Sequence, residues 1–220
     1  MQVSVERKKM RKTEMSNTEI KTKIEKEFRK KKQVFGRGEF YQSFPMIELE
    51  GQRPTDRRLE EYGVMDILNK NQTVLDIGCN CGFLDMTIAK KVKSVTGIEY
   101  NKKLVKIAKK VSKYLNIDNV KFVATDYNKW EKKAKDTYDV ICSFAVHYWL
   151  QVTPITYTKR LYELLNPGGY IFFESQNLET VDQEFDEYCK EFVKLGMTVV
   201  KDGTIKDDEV IERRYLVFKK

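Results

Sequence analysis

Two glycines and two acids at fixed positions are the residues of this chain best suited to hold a ligand. Residues 74 to 82 read Val-Leu-Asp-Ile-Gly-Cys-Asn-Cys-Gly, and a second apolar run ends in Glu99. Because Gly78 and Gly82 carry no Cβ, the backbone around them can approach a ligand closely. An acid that follows the second strand of a strand–helix–strand unit is placed to hydrogen-bond the hydroxyls of a ribose. The spacing therefore predicts a site for a cofactor that contains a nucleoside.

Asp76, between the first apolar run and the turn, narrows the choice of cofactor. Its carboxylate can accept a hydrogen bond from an ammonium group but would repel a pyrophosphate, and the dinucleotide fingerprint G-x-G-x-x-G is absent. S-adenosylmethionine (SAM) has an ammonium group and no phosphate. The run resembles the first motif of the class I SAM-dependent methyltransferases, D-x-G-x-G-x-G, which Asp76, Gly78 and Gly82 match. Asn80 replaces the middle glycine, and asparagine tolerates left-handed backbone angles, so the turn can be kept.

The resemblance implies that the loops after the next three strands complete the cofactor site. Tyr100 could lie against the adenine, and Asp126 could accept a hydrogen bond from its amino group. The expected cofactor residues are Asp76, Gly78, Cys79, Asn80, Gly82, Glu99, Tyr100, Asp126, Tyr127, Ser143 and Phe144. The alternatives are a structural turn in an unrelated α/β protein, a helix-capping role for Asp126, a wall role for Tyr127 and a core position for Phe144.

The acceptor side of the site is expected to centre on His147, the sole histidine of the chain. It lies in the loop after the fourth strand, and an imidazole exchanges protons near neutral pH, so His147 is the candidate general base. The alternative is a packing or hydrogen-bonding histidine. The residues expected to bind the acceptor are Tyr41, Arg53, Tyr148, Trp149 and Glu174. The planar guanidinium of Arg53 could pair with the cofactor carboxylate or with an acidic acceptor, and a surface arginine is the alternative.

These loops must be held by strands and helices, and the hydrophobic pattern predicts that the two alternate. Strands are expected at residues 73–77, 94–99, 120–124, 138–144, 170–174, 197–201 and 213–218. Helices are expected at residues 56–68, 83–91, 102–115, 128–135, 155–165 and 182–195, with a turn at 166–169. Alternating units form parallel sheets with right-handed connections. The predicted fold class is α/β, a doubly wound, mostly parallel seven-stranded sheet with a C-terminal antiparallel hairpin and an N-terminal helical extension.

The N-terminal extension has the charge of a separate arm. Residues 1–40 hold 13 Lys and Arg against 6 Glu, whereas the remaining residues hold 28 Lys and Arg against 27 acids. We expect residues 1–55 to form a basic arm, a helix and a lid segment, and residues 56–220 to form the SAM-binding domain. Residues 1–15 are polar and without periodicity, which predicts disorder.

A short helix is predicted to follow this polar start. Ser16 and Glu19 have the spacing of a capping box. Ile20, Ile24 and Phe28 then recur every four residues, which is typical of a helix with one narrow apolar stripe. We expect the helix to lie on the surface of the domain and to be ended by the glycines at positions 36 and 38.

Charge also guides the choice of acceptor. The near-neutral balance of the chain after the arm favours a small molecule, such as a sugar or another metabolite, with methylation on oxygen or nitrogen. One alternative is an RNA methyltransferase, of tRNA for example, whose basic arm contacts phosphates. Another is a non-catalytic SAM-binding subunit. The sequence leaves the oligomeric state open.

Four cysteines in 220 residues do not form a disulfide framework, and Cys79 and Cys81 lack the second pair of ligands that zinc requires. We therefore expect no metal. No apolar run reaches the length of a transmembrane helix, and the charged N-terminus lacks the apolar segment of a signal peptide. These features predict a cytoplasmic protein without a membrane partner.

Overall fold

The structure, a computed structural model, describes residues 15–29, 39–177 and 182–220. The strands are β1 (Thr73–Ile77), β2 (Ser94–Glu99), β3 (Val120–Ala124), β4 (Tyr138–Phe144), β5 (Leu165–Glu174), β6 (Thr198–Ile205) and β7 (Arg213–Lys219). The α-helices are α1 (Asn17–Phe28), α2 (Thr55–Tyr62), α3 (Val64–Ile67), α4 (Phe83–Ile88), α5 (Lys102–Tyr114), α6 (Tyr127–Trp130), α7 (His147–Leu150), α8 (Pro154–Leu164) and α9 (Phe185–Lys194). Single turns of 3-10 helix lie at Pro45–Ile47 and Ala89–Lys91.

The seven strands form a single sheet in the order β3-β2-β1-β4-β5-β7-β6. Strands β1 to β5 run parallel, and β7 runs antiparallel to both of its neighbours. This confirms the predicted doubly wound sheet with its C-terminal antiparallel hairpin. The strand order reverses between β1 and β4, and ligands of such sheets bind beyond the carboxyl ends of the strands at that point. The pairing of Ile77 with Ser143, and of Phe144 with Glu174, brings the predicted site loops to one edge.

Glycine conformations account for two differences from the predicted elements. The helix expected at residues 56–68 is broken by Gly63, whose φ of 69° is a left-handed value that ends α2 and precedes α3. The turn expected at residues 166–169 is instead the first part of β5, where Gly168 takes a φ of 75°. A shift of register near Tyr138 accommodates this extra length.

The described part of the N-terminal extension packs into the same core as the sheet. The Ser16 hydroxyl accepts from the Glu19 amide at 3.2 Å and the Glu19 side chain accepts from the Ser16 amide at 2.8 Å, so the capping box is present. The apolar stripe of α1 is buried against α5. Farther along, Phe44 stacks on Phe83 at 4.8 Å between ring centroids. The expected division at residue 55 therefore separates two stretches of sequence and not two hydrophobic cores.

Some predictions for this extension lie outside the described residues. They concern the disorder of residues 1–15, except at Met15, and the end of the helix at positions 36 and 38. Across residues 15–29, 39–177 and 182–220, we find no helix with the length and apolar character needed to cross a bilayer. In the same ranges no three His, Cys, Asp or Glu side chains are grouped so that they could hold a metal ion.

Candidate active site

The turn after β1 has the backbone that the glycine spacing predicts. Gly78, Asn80 and Gly82 have φ values of 78°, 55° and 65°, all in the left-handed region. A Cβ on Gly78 would lie 2.6 Å from Val146 Cγ2, and one on Gly82 would lie 2.2 Å from the Phe122 ring. Both glycines are therefore required by backbone conformation and by space. Asn80 adopts the left-handed angle that its family position requires, so the turn is kept without a middle glycine.

Glu99 ties this turn to the end of β2. Its carboxylate accepts hydrogen bonds from the backbone amides of Asn80 at 3.1 Å and Asn101 at 2.7 Å. Burial raises the pKa of Glu99, and the amide hydrogen bonds oppose this rise. The neighbouring Tyr100 is 78% exposed, so its ring is free of the core at the start of α5. Glu99 therefore has the position expected of a ribose-binding acid.

Asp76 lies at the end of β1, where it is 3% exposed. Burial raises the pKa of Asp76 to about 6, and a hydrogen bond from Asp85 and the charge of Arg58 oppose the rise. Arg58, on α2, is itself buried, and its Nη1 has no hydrogen-bond partner among the described residues. Asp76 is therefore a buried carboxylate under the electrostatic influence of a guanidinium whose Nη1 is unsatisfied. Sequence reasoning missed Arg58, although it shares the buried face of α2 with Leu59 and Tyr62.

Arg53 is not available to a ligand, contrary to the prediction. Its Nε donates to Asp207 at 2.6 Å, and the two terminal nitrogens donate to Glu174, Tyr41 and Tyr62 at distances from 2.5 to 3.3 Å. All five N–H donors of this fully buried guanidinium are used. The hypothesis that an arginine holds a ligand carboxylate therefore moves from Arg53 to Arg58.

Glu174 is likewise enclosed and does not line an acceptor pocket. It accepts from Arg53 and from the Tyr62 hydroxyl at 2.5 Å, and from Arg58 at 3.4 Å. Although burial opposes the change, the positive charges of Arg53 and Arg58 lower the pKa of Glu174 to about 2. The prediction of Glu174 as an acceptor contact is corrected by this arrangement, because its oxygens face two arginines and a tyrosine.

These groups belong to a larger cluster that we call the buried charge network. Its members are Arg53, Arg58, Glu174, Asp207 and Arg213, all at most 3% exposed. It joins the segment before α2, the end of β5 and the loop between β6 and β7. The network ties the segment that contains Arg53 to the carboxyl end of β5 and to the loop between β6 and β7.

Several expected cofactor side chains are buried among other residues of the protein. Ser143 is buried and its hydroxyl is 2.9 Å from that of Tyr157. Tyr127 packs edge-on against Tyr157, at 5.4 Å between ring centroids. The thiol of Cys79 is buried under the turn. These three side chains are therefore buried, although the Tyr127 hydroxyl has no hydrogen-bond partner among the described residues, and their cofactor roles stay predictions.

The remaining two expected cofactor residues have assigned neighbours. The Asp126 carboxylate caps α6 by accepting from the Lys129 amide at 3.1 Å, which leaves its second oxygen without a described partner of this kind. Phe144 stacks on Tyr62, with 4.9 Å between centroids, and so forms part of the wall beside Arg58. The adenine role of Asp126 stays a prediction.

His147 is enclosed by aromatic rings. It is 1% exposed, and its Nε2 lies 2.9 Å from Asp182 Oδ1. The rings of Phe173 and Tyr188 are 4.6 and 4.7 Å away between centroids. A general base must reach the proton that it removes, directly or through one water. This geometry favours the packing alternative, and the base role of His147 stays a prediction that needs its own test.

The two aromatic residues after His147 are placed differently. Tyr148 and Trp149 are each 47% exposed, and their rings meet edge-on at 5.2 Å between centroids. They lie on α7, immediately beyond the carboxyl end of β4. Both expected acceptor residues therefore present surface beyond the carboxyl end of β4.

Replacement of His147 by glutamine should separate the two roles. We expect the free energy of unfolding to fall by about 1 to 2 kcal/mol, since the hydrogen bond is altered and the ring packing lost. We expect kcat to stay within about threefold, whereas loss of a general base costs about 10² to 10⁴. Urea denaturation and single-turnover rates measure the two effects. Asp182→Asn is the matched control, and a non-additive double variant would confirm that the two residues act as a pair.

The polar groups at this edge match SAM in kind. Glu99 can hold the ribose hydroxyls, Asp76 the ammonium group, and the unpartnered Nη1 of Arg58 the carboxylate. The left-handed turn provides a close approach of backbone, as a nucleoside needs. The residues present therefore fit this cofactor.

Comparison with known proteins gives the same family. A family model described as a methyltransferase domain matches residues 68–213. The chain is 29% identical over 143 residues to the U6 snRNA methylphosphate capping enzyme Amus of Drosophila melanogaster, which covers 56% of this chain and 48% of that protein. It is 30% identical over 143 residues to a malonyl-[acyl-carrier protein] O-methyltransferase of Halalkalibacterium halodurans, covering 63% and 51% respectively. The chain spans about half the length of these curated relatives.

Solved structures share the fold. The N-methyltransferase NodS from Bradyrhizobium japonicum, in complex with S-adenosylhomocysteine, superposes with a TM-score of 0.63 at 17% identity and covers 91% of this chain and 98% of that one. The family model covers well over half of the sequence. The chain therefore belongs to the methyltransferase domain family.

Proposed function

We propose that the protein transfers the methyl group of SAM to an oxygen or nitrogen of a small polar molecule, such as a sugar or another metabolite. Two buried amide oxygens support this proposal. Oε1 of Gln42, a residue 5% exposed, and Oε1 of Gln176 have no hydrogen-bond partner among the described residues. Buried polar atoms are rarely left unpaired, so these oxygens call for a donor such as a hydroxyl or amine.

Both glutamines flank the carboxyl end of β5. Gln42 pairs with Arg53 in a backbone bridge, and Arg53 binds Glu174 at the end of that strand. Gln176 follows the same strand, and its backbone N–H donates to the Asp182 carboxylate at 2.8 Å. The proposed acceptor site lies between these two segments and α7, with Tyr148 and Trp149 at its mouth.

Methyl transfer requires mainly that the acceptor atom be aligned with the methyl group of SAM. SAM supplies a methyl group that its sulfonium already activates. The protein then has to hold the donor through Glu99, Asp76 and Arg58 and to place the nucleophile in line in a dry pocket, which is worth up to about 7 to 11 kcal/mol. A base is needed for a hydroxyl and much less for a neutral amine. In the same proposal the protein is cytoplasmic, which is supported by four buried cysteines that are not disulfide-bonded.

Labelled SAM tests this function. Purified protein is incubated with a metabolite pool and, separately, with an RNA pool, and transfer is expected to the metabolites. Once an acceptor is found, Gln42→Leu and Gln176→Leu should each raise its KM about tenfold through a lost hydrogen bond to a buried group. The exposed Gln183→Leu serves as the matched control. Labelling confined to RNA would contradict the proposal.

An RNA acceptor is the second candidate, and charge segregation favours it. Residues 100–135 hold 11 Lys against 3 acids, whereas the rest of residues 41–220 holds 17 Lys and Arg against 24 acids. Although the net charge of residues 41–220 is close to zero, residues 100–135 are therefore strongly basic. The basic surface of this segment includes the six lysines of α5, a helix without an acidic residue, and lies at the β3 edge of the sheet. This basic surface adjoins the proposed site at two places. One is Tyr100, and the other is the hydrogen bond that the Asn128 side chain donates to the carbonyl of Leu150, at the end of α7.

The RNA candidate predicts a salt-dependent interaction. Exposed lysines at positions 102, 109, 113 and 121 are changed together to glutamine, and exposed lysines at 159, 190, 194 and 206 are changed as the control. Each phosphate contact contributes about one unit to the slope of log affinity against log salt, so the first variant should lose two to four units. Equal RNA binding by both variants would exclude this surface as the RNA site.

A further inference from the structure

A second carboxyl group is buried beside Asp76. Asp85, in the first turn of α4, is fully buried. No N–H or O–H donor in the described part of the chain reaches either of its oxygens. The carboxyl lies beside Gly97, which is the strand partner of Asp76, and so it is next to the Asp76 side chain. An unpaired buried carboxylate would be costly, so a neutral Asp85 that donates to Asp76 is the arrangement that satisfies both groups. The methyltransferase resemblance assigns no role to this position.

Packing fixes Asp85 in place. A Cβ on Gly97 of β2 would lie 2.4 Å from Asp85 Oδ2 and 2.8 Å from Cys79 Sγ. The carboxyl group therefore occupies the space that a side chain at position 97 would take. The absence of a side chain at Gly97 provides the space that the carboxyl occupies, and this space is closed to solvent. Asp85 therefore cannot turn away from Asp76 to be hydrated.

The charges around the pair allow one proton to be shared between the two acids. Arg58 from α2 is the cation that acts on Asp76, and Glu99 from β2 is a further acid. Burial raises the pKa values of the facing thiols Cys79 and Cys142 well above their ordinary range, so both are neutral. Two adjacent buried carboxyls do not both ionise, since their negative charges would repel each other.

The proton resides on Asp85. Burial and the charge of Asp76 raise the pKa of Asp85 well above its ordinary range. Burial also raises the pKa of Asp76, to about 6, but there the hydrogen bond from Asp85 works in the opposite direction. At neutral pH the pair therefore consists of a neutral donor, Asp85, and an ionised acceptor, Asp76.

We propose that Asp85 is a positioning residue for the cofactor: in its neutral form it donates a hydrogen bond to Asp76 and holds that carboxylate ionised and oriented for the ammonium group of SAM. The inference rests on the ammonium-binding role proposed for Asp76. It does not depend on the identity of the acceptor.

The proposal gives the affinity for SAM a defined pH dependence. As the pH falls through about 6, Asp76 takes up a proton and loses its attraction for the ammonium group. Dissociation constants of SAM are therefore expected to rise about tenfold for each pH unit below this midpoint. Above it, the affinity should be level until the ammonium group of SAM itself titrates.

Two substitutions at position 85 separate a neutral donor from a charge. Asparagine keeps a donor of the same shape, so Asp85→Asn should bind SAM within about threefold of the wild type, with an unchanged midpoint. Leucine has a similar volume and no donor, so Asp85→Leu should bind SAM about tenfold or more weakly at pH 7, with the midpoint moved upward. Calorimetry from about pH 5 to pH 7.5 measures both quantities, and melting curves confirm that each variant is folded.

The outcomes are distinct. Equal weakening by Asp85→Asn and Asp85→Leu, or a midpoint that neither moves, would overturn the proposal. If the leucine variant does not fold, the protons released by the wild type decide: SAM binding near pH 5, measured in two buffers of different ionisation enthalpy, must release close to one proton, and no release would overturn the proposal. Asp76→Asn tests the premise separately, because normal SAM binding by that variant would remove Asp76 from the ammonium role. None of these measurements uses an acceptor, so a wrong acceptor class leaves them unaffected.

Discussion

Replacement of Glu174 by glutamine is expected to lower the free energy of unfolding by about 3 to 5 kcal/mol, the cost of breaking a buried ion pair from one side. The substitution removes one of the two carboxylates, Glu174 and Asp207, that pair with both Arg53 and Arg58. Glutamine is close in volume, so the effect would come from charge and hydrogen bonding. Urea denaturation at neutral pH measures it.

Glu163→Gln is the matched control for this effect. Glu163 pairs with Arg160 at 3.3 Å, and its side chain is 48% exposed. An exposed pair of this kind contributes about 0 to 1 kcal/mol. A loss at Glu174 no larger than that at Glu163 would mean that the buried charge network does not contribute to stability.

The same carboxylate should make the protein sensitive to acid. Because the positive charges of Arg53 and Arg58 outweigh burial, the pKa of Glu174 is lowered from 4.5 to about 2 in the folded chain. A depressed pKa contributes stability that is fully present above the unfolded value and is lost as the pH falls from that value towards 2. Glu174→Gln should remove this part of the acid dependence, which denaturation curves at a series of pH values would show.

The second large effect concerns the cofactor. Glu99→Gln should weaken SAM binding by about 1.5 to 3 kcal/mol, the worth of hydrogen bonds to a charged group. The carboxylate holds the amides of Asn80 and Asn101, and the ribose hydroxyls would be its further partners. Calorimetry with SAM measures the loss, and Asp118→Asn, at an exposed position after α5, is the control. Unchanged affinity in a folded Glu99→Gln variant would remove Glu99 from the ribose role.

Local signals were sufficient for the strands and for the turn after β1. The bounds of β1, β3 and β4 follow from apolar runs and turn residues, and the left-handed turn follows from Gly78 and Gly82. Such features depend on neighbours within a few residues, so the sequence contains them directly.

The surroundings of the expected acceptor-binding residues could not be predicted from local sequence. Arg53 is separated from Glu174 by 121 residues and from Asp207 by 154. No local pattern shows that these charges neutralise one another, so Arg53 and Glu174 were predicted as ligand contacts. The surroundings of His147 could not be predicted for a similar reason, because its partner Asp182 lies on a different segment. Arg58 could have been found from its spacing, because it shares the buried face of α2 with Leu59 and Tyr62. A charged residue on that face indicates a buried ion pair or a ligand.

The long separation within the buried charge network has a consequence for synthesis on the ribosome. Arg53 is made 154 residues before its partner Asp207. At about 5 to 20 residues per second, Arg53 would wait roughly 8 to 30 s for that partner to be added. During this interval two arginines that the finished protein excludes from water must stay hydrated. The segment that closes over the sheet edge can therefore settle only when almost the whole chain has been translated, and a nascent chain stopped before residue 207 would lack this closure.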